Sequence, residues 1–205
     1  FIRKYNMQHT GSSTDDSTYE LTQTVISGPF VLEESGKFVI MKKIDDEICE
    51  RAIRFILMHN AHHGNKLKNL TIIINSPGGS VYAALALIDV MRGSKIPVYT
   101  IGLGLIASAG LLVFMAGAKG NRVITPNTSI LSHQYSWGSK GKEHELFAST
   151  VEQKYAGQRM LEHYKLCTGL SEKIIKEKLL PPSDVWLSGK EAKKFKLCDH
   201  IQDIK

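Results

Sequence analysis

Residues 70–79 read LTIIINSPGG, an apolar run rich in β-branched side chains that ends in a Pro-Gly-Gly turn. Such a run predicts a buried strand that leaves its sheet into a sharp turn. After the turn, the apolar positions from Ser80 to Met91 have helical spacing. Glycines in such a turn let the backbone approach a substrate and present N–H groups to it, although Pro-Gly also marks ordinary turns. The stretch therefore predicts a strand–turn–helix unit in which Gly78 and Gly79 shape either a site or a plain turn.

The same alternation of strand and helix continues on both sides of this unit. Further strands are predicted at 38–41, 97–101, 123–124 and 129–132, and helices at 45–64, 108–117 and 143–166, with shorter helices from Ser171 and Ser188. Strands separated by helices of crossover length predict an α/β domain with mostly parallel strands. Residues 8–24 are rich in Ser, Thr, Asp and Gln without apolar periodicity, so a mobile loop or arm is expected there.

Length and composition are those of one globular domain, with 205 residues of which 42% are hydrophobic and 22% are charged. No apolar run reaches the roughly 18 residues that suggest a membrane-spanning helix, so no membrane partner is expected. The net charge of +6 comes largely from lysines in helix-like stretches without interleaved aromatic residues. This pattern favours solvated helix faces over a nucleic-acid partner.

Cysteine usage and the first residues bear on the compartment. The three cysteines, Cys49, Cys167 and Cys198, are widely spaced and form no CxxC pair. They favour a reducing compartment, so we expect a cytoplasmic location, with an organelle or the cytoplasm of a phage-infected host as alternatives. The first residues lack Met and a continuous apolar segment, so we expect no signal peptide but a processed N-terminus.

A second small-residue turn contains a candidate nucleophile. Residues 104–110 read GLIASAG, and Ser108 stands where a strand passes into an apolar helix. A hydroxyl in that place lies at the positive end of the helix dipole, and the next backbone N–H is available to an oxyanion. The segment matches only half of the G-x-S-x-G pattern, because Ile106 occupies the first Gly position. A simple helix N-cap is therefore an equally good interpretation of Ser108 from these residues alone.

Among the eight histidines, His133 is the best candidate for a base, because it follows a strand-like run and leads into a Gly- and Ser-containing loop. The group His59, His62 and His63 falls at the polar end of a helix. It is expected to be solvated and not to bind a metal, because no carboxylate or cysteine ligand shares its spacing. A serine and a base together would still need a carboxylate that orients the imidazole.

Asp184 is the candidate carboxylate, because it stands between Pro181-Pro182-Ser183 and the apolar Val185-Trp186-Leu187. An unpaired carboxylate in an apolar setting is costly, which suggests that Asp184 has a partner. Asp199 and Asp203 remain alternatives from the residues alone.

Taken together, these segments resemble the ClpP family, the proteolytic subunit of Clp protease. The residues that carry the resemblance are Ile74 to Gly79, Ala107 to Gly110, Ala116 to Arg122 with Pro126-Asn127, Ser132-His133-Gln134, and Asp184 to Ser188 with Glu191-Ala192. Their order and spacing agree with the family from about Lys37 to Asp203. The resemblance implies that Ser108 is the nucleophile, His133 the base and Asp184 the orienting carboxylate. It also implies an oxyanion hole formed by the backbone N–H groups of Gly79 and Ala109.

The resemblance further implies a crotonase-like α/β superhelix of ββα units with a protruding handle helix at about 143–166. Residues 1–36 would form an N-terminal arm or axial-loop region, and residues 37–205 the peptidase domain. The implied assembly is two stacked heptameric rings that degrade unfolded polypeptides. The subunit itself is expected to need no cofactor and no metal, since a separate AAA+ unfoldase would use the ATP.

Several positions depart from the family pattern. Tyr135 follows His133-Gln134 where relatives usually have Pro, and Thr71, Ile73 and Gly93 replace aromatic residues of the groove that docks the unfoldase. Loss of apolar anchors is expected to weaken that groove or to change what it accepts. Two other functions stay open, namely a non-catalytic or partner-dependent ring subunit and a crotonase-type acyl-CoA enzyme on the same fold.

Overall fold

The computed structural model describes residues 3–9, 19–25, 29–62 and 66–204. The strands are β1 (Arg3–His9), β2 (Tyr19–Val25), β3 (Lys37–Ile40), β4 (Leu70–Ser76), β5 (Val98–Ala107), β6 (Arg122–Ile124), β7 (Ser129–Ser132), β8 (Val185–Leu187) and β9 (His200–Ile201). The helices are α1 (Pro29–Glu34), α2 (Asp46–Ala61), α3 (Val81–Gly93), α4 (Ala109–Met115), α5 (Glu143–Thr168), α6 (Glu172–Lys178) and α7 (Gly189–Lys194).

One seven-stranded sheet organises the domain. Strands β3, β4, β5, β6 and β9 lie side by side in that order and run parallel, and β7 pairs in parallel with the last part of β5. Strand β8 pairs antiparallel with β7. The predicted α/β domain with mostly parallel strands is therefore confirmed. Strands β8 and β9 were not predicted, because these short segments are strands only by pairing with β7 and β6, which lie far away in the chain.

Strand β5 pairs with two different strands along its length, and its carboxyl end lies beside that of β7. Its middle residues, 100–102, pair with β6, whereas its last residues, 105–107, pair with β7. The residues that follow β5 and β7 therefore emerge at the same edge of the sheet. Ligands in α/β proteins bind preferentially at such an edge.

Strand β4 lies at the centre of the core. Leu70, Ile72 and Ile74 of β4 are fully buried. Helices α2 and α3 begin where the sequence predicts, because Asp45 and Ser80 cap them. The Asp45 carboxylate accepts a hydrogen bond from Ile48 N at 2.9 Å, and the Ser80 hydroxyl accepts one from Ala83 N at 3.2 Å. Caps of this kind each stabilise a helix by about 1 kcal/mol.

The N-terminal residues form a separate two-stranded sheet. Strands β1 and β2 pair antiparallel, from Arg3 opposite Val25 to His9 opposite Tyr19. Regular structure was not predicted here, because the polar segment shows no apolar alternation. Residues 10–18, the middle of the expected loop, lie outside the described residues.

Helix α5 has two different halves. At about 1.5 Å per residue it is about 39 Å long, and its second half packs on the domain through buried residues that include Met160 and Tyr164. Its first half carries large apolar side chains that are exposed, namely Leu146, Phe147, Val151 and Tyr155. The helix begins where the sequence predicts and extends two residues beyond the predicted end, as far as the left-handed cap Gly169.

Candidate active site

Ser108 occupies a strained turn between β5 and α4. Its φ of 54° is unusual for a residue other than glycine, and such strain persists only where the surroundings enforce it. Its backbone N–H donates to the carbonyl of Leu131 in β7 at 3.0 Å. Although Ser108 takes the N-cap position of α4, its side chain makes no capping hydrogen bond. The N-cap interpretation therefore does not account for the hydroxyl, which is left available for chemistry.

The Pro-Gly-Gly turn after β4 packs directly against Ser108. A Cβ on Gly78 would lie 2.6 Å from the Ser108 Cβ and 3.0 Å from the backbone N of Ala109. On the other side, Ile44 N donates to Gly78 O at 2.9 Å and Ser80 N donates to Ile44 O at 2.8 Å. The turn is thus fixed between Ile44 and the turn that contains Ser108, with no room for a side chain at Gly78.

Two backbone N–H groups at this junction are candidates for binding a substrate oxygen. Among the hydrogen bonds of the described residues, none uses the N–H of Gly79 or of Ala109. Gly79 has a φ of 149°, and a Cβ there would lie 2.1 Å from the carbonyl oxygen of Ile44. A pair of fixed, unused N–H donors beside a serine can stabilise the oxyanion of an acyl-transfer intermediate.

His133 faces the same cavity as Ser108. The cavity has a volume of about 180 Å³. Its lining residues are Gly79, Ser80, Val81, Tyr82, Ser108, Ala109, Leu112, His133, Gln134, Tyr135, Ser136, Met160 and Tyr164. His133 is the only His, Asp, Glu, Lys or Arg among these described lining residues, so it is the candidate base for Ser108.

Asp184 lies next to His133 in the strand register but outside the cavity lining. In the antiparallel pairing of β7 with β8, Ser132 stands opposite Val185. One step further along this register places His133 opposite Asp184. The Asp184 side chain is exposed, and within the described part of the chain no hydrogen bond joins it to His133 or joins His133 to Ser108.

The alternative carboxylate Asp199 is bound elsewhere. The buried guanidinium of Arg122 contacts both of its oxygens, with Nη2 to Oδ1 at 2.7 Å and Nε to Oδ2 at 2.9 Å. Burial alone would raise the pKa of Asp199, but the hydrogen bonds and charge of Arg122 hold it below its usual value. Asp203 is exposed in the last residues of the chain. Of the three carboxylates considered, Asp184 is therefore the one next in register to the candidate base.

Of the three histidines at the end of α2, His59 and His62 lie within the described residues. The ring of His59 makes a hydrogen bond to Glu33 O at 2.8 Å, and His63 lies outside the described residues. Within the described ranges, no group of three or more His, Cys, Asp or Glu side chains could hold a metal ion.

Several cavity residues were not predicted, because they come from segments far apart in the sequence. Tyr82 of α3 donates from its hydroxyl to Glu152 of α5 at 3.3 Å. The Tyr135 hydroxyl, then burial and Glu152, raise the pKa of Tyr82 to about 12. The departure at Tyr135 was the one signal in the sequence, since it follows the candidate base His133 by two residues. Met160 and Tyr164 carried no signal beyond the apolar face of a helix.

Comparison with known proteins decides the family. The family model described as Clp protease matches residues 23–205. The proteolytic subunit 2 of the ATP-dependent Clp protease from Thermobifida fusca is 34% identical over 161 residues, which cover 78% of this chain and 77% of that protein. The corresponding subunit 2 from Corynebacterium glutamicum is 35% identical over 166 residues, with 78% and 77% covered. The proteolytic subunit from Deinococcus radiodurans is 29% identical over 192 residues, with 85% and 92% covered.

The chain belongs to the Clp protease family.

This membership confirms two predictions made from the sequence. The fold is the ClpP fold, and the chain is a ClpP-type serine peptidase. No helix in the described ranges has both the length and the apolar character needed to cross a membrane.

For this Clp protease family member, we predict that Gly79→Ala lowers activity at least about a hundredfold, because the new Cβ would collide with Ile44 and displace the N–H donor. Gly93→Ala is the matched control, since nothing lies within 4 Å of a Cβ at that helix position. Peptide hydrolysis by the two purified variants checks the prediction. Equal activities in Gly79→Ala and Gly93→Ala would contradict the proposed geometry.

Proposed function

We propose that this peptidase cleaves unfolded polypeptides with Ser108 as nucleophile, His133 as base and Asp184 as the carboxylate that orients the base. The backbone N–H groups of Gly79 and Ala109 form the oxyanion hole. The observation that carries the proposal is the strained Ser108 turn, whose uncapped hydroxyl and neighbouring unused N–H groups open onto the cavity that His133 lines.

The proposed cycle is acyl transfer in two halves. The Ser108 Oγ attacks the scissile carbonyl carbon while His133 takes the hydroxyl proton, and the resulting oxyanion is held by Gly79 and Ala109. The C–N bond then breaks as His133 gives that proton to the leaving amine. In the second half, water loses a proton to His133 and attacks the acyl-enzyme, and Ser108 leaves with the proton restored.

In this proposal Asp184 completes the triad by a side-chain rotation. Residues directly opposite in antiparallel strands have Cβ atoms about 5 Å apart, which is within reach of a carboxylate and an imidazole. The exposed Asp184 and the half-buried His133 each have room to turn towards the other. Catalytic hydrogen bonds are often long or misaligned without substrate and tighten in the complex.

No cofactor takes part in this cycle, because each proton stays on a side chain or on the reactants. ATP would be used by a separate AAA+ unfoldase. Cys49, Cys167 and Cys198 are all buried and unpaired, which supports a reducing compartment such as the cytoplasm.

The two other functions from the sequence gain no support from the geometry. An acyl-CoA enzyme would use the paired N–H groups but has no need of a serine in a strained turn beside a histidine. A non-catalytic ring subunit has no need of either.

The triad proposal predicts that Ser108→Ala and His133→Ala abolish hydrolysis of a fluorogenic peptide by the purified chain. Asp184→Asn should lower kcat by about 10⁴, because an amide fixes the wrong imidazole tautomer. Asp203→Asn, a change of an exposed aspartate away from the cavity, is the control and should keep wild-type activity. If Asp184→Asn hydrolyses the peptide as fast as the Asp203→Asn control, Asp184 has no role in the triad. Hydrolysis by Ser108→Ala would refute the whole mechanism.

We also propose that chains assemble into two stacked heptameric rings through helix α5, the handle helix. Residues 37–205 would form the peptidase domain and residues 1–36 the N-terminal arm. Phe147, Val151 and Tyr155 lie one turn apart and are 67%, 48% and 58% exposed, so they form an apolar stripe on the projecting half of the handle helix. A contiguous apolar surface of this kind marks a protein–protein contact, and the family indicates a second copy as the partner.

The assembly proposal predicts that Phe147→Glu with Val151→Glu separates the particle into smaller species. Two buried charges cannot be solvated within an apolar contact. Lys190→Glu on the exposed α7 is the control for added negative charge. Sedimentation velocity should give the mass of fourteen chains for the wild type and the control. A wild-type mass of one chain would contradict the ring.

The groove that would dock an unfoldase lacks aromatic side chains at Thr71, Ile73 and Gly93. A cavity of about 290 Å³ on the sheet is lined by Thr71, Tyr99, Ile101, Gly120, Asn121, Val123, His200 and Gln202. Ile73 stands beside Ile101 in the sheet register. A Cβ at Gly93 would have no other atom within 4 Å. Because Thr71, Ile73 and Gly93 supply no aromatic side chain, we propose that any AAA+ partner binds here weakly or through polar contacts. The affinity of a Clp ATPase for the wild type and for Thr71→Tyr tests this proposal. Tight binding to the wild type, with the same affinity for Thr71→Tyr, would contradict it.

A further inference from the structure

The second half of α5 contacts both catalytic segments through two adjacent buried residues. His163 is 2% exposed and Tyr164 is 2% exposed. Neighbouring residues on a helix point about 100° apart. His163 and Tyr164 therefore reach different parts of the domain, and neither takes part in the acyl-transfer cycle proposed above.

His163 joins three helices. Its Nδ1 lies 2.6 Å from Arg92 Nη2 at the end of α3, and its Nε2 lies 2.8 Å from Leu112 O in α4. The other group that faces the ring is the Cys167 Sγ, 3.7 Å from Nε2. A guanidinium can only donate, so Nδ1 accepts and the single ring proton on Nε2 is donated to Leu112 O. Burial first, and the Arg92 charge second, lower the pKa of His163 to about 4, so the imidazole is neutral near pH 7.

Leu112 connects His163 to the proposed nucleophile Ser108 across one turn of α4. Leu112 N donates to Ser108 O at 3.2 Å, and the Leu112 side chain lines the active-site cavity. The other neighbour, Arg92, lies in the last turn of α3, and the N-cap of that helix, Ser80, directly follows Gly79. His163 therefore connects α5 to the helix that follows each of these two catalytic turns.

Tyr164 makes the equivalent connection to the base. The Ser132 hydroxyl donates to Leu179 O at 2.6 Å, which uses its one proton. The Tyr164 hydroxyl, 2.8 Å from Ser132 Oγ, must then be the donor of the second bond. Ser132 is the residue before His133. The Tyr164 hydroxyl therefore fixes the end of β7 from which the candidate base projects.

We propose that His163 and Tyr164 are positioning residues, which hold Ser108 and His133 in facing positions through Leu112 and Ser132. The inference rests on the proposed roles of Ser108 and His133. Because both residues belong to α5, a displacement of this helix would move the nucleophile and the base relative to each other. Misplacement of reacting groups by about 1 Å lowers a rate by as much as about a hundredfold.

The test compares changes that remove the two contacts and keep the packing. Tyr164→Phe removes one hydroxyl, and His163→Leu removes both ring hydrogen bonds. His163→Gln restores a donor and an acceptor of similar reach. The matched controls are Glu162→Gln and His144→Leu, which change polar side chains at exposed positions of the same helix outside the apolar stripe. Active sites are counted by fluorophosphonate labelling, and kcat and KM are then measured per labelled site.

We expect kcat per site to fall about tenfold or more in Tyr164→Phe and in His163→Leu, with KM changed by less than about threefold. His163→Gln should recover part of the loss, and the controls should match the wild type. A merely structural role would lower the number of active sites and leave kcat per site unchanged. That outcome would overturn the inference. Absence of labelling at Ser108 in the wild type would instead refute the proposed function, and this inference with it.

Discussion

The positive φ of Ser108 is the constraint on which the rest of the site depends. A residue with a Cβ takes this backbone conformation only where its surroundings enforce it, at a typical cost of about 1–3 kcal/mol. Here the enforcement comes from both sides of the turn. The Ser108 N–H is bound to Leu131 of β7, and the glycine turn after β4 leaves no space between itself and the Ser108 Cβ. The buried helix α4 then fixes the direction in which the chain leaves.

The same constraint explains why the proposed oxyanion donors, Gly79 and Ala109, and the proposed base, His133, lie where they do. Gly78 can pack against Ser108 only because it lacks a side chain, and this contact brings the N–H groups of Gly79 and Ala109 together. The hydrogen bond from Ser108 to β7 sets the distance between the nucleophile turn and the strand that ends at His133. Pairing of β7 with β8 then brings Asp184 into register with His133. One sheet edge thus collects groups from four separate segments.

The sequence predicted those parts of the structure that depend on local pattern. The buried strand at Leu70, the capped start of the helix after Asp45 and the serine in a turn of small residues all have short-range signals. Strands β8 and β9 had none, because their few residues are strands only by pairing with partners far away in the chain. The choice between Asp184 and Asp199 was open for the same reason, since the ion pair of Asp199 with Arg122 is a tertiary contact. The contributions of His163 and Tyr164 were likewise hidden within an ordinary apolar helix face.

The account is tested most directly by labelling the purified, assembled protein with a fluorophosphonate and mapping the modified residue by mass spectrometry. The probe reacts with an activated serine whatever the substrate or partner. The account predicts modification at Ser108 alone and its loss in His133→Ala, because the turn exposes this hydroxyl beside that base. Modification of another serine, or none in the assembled particle, would contradict it.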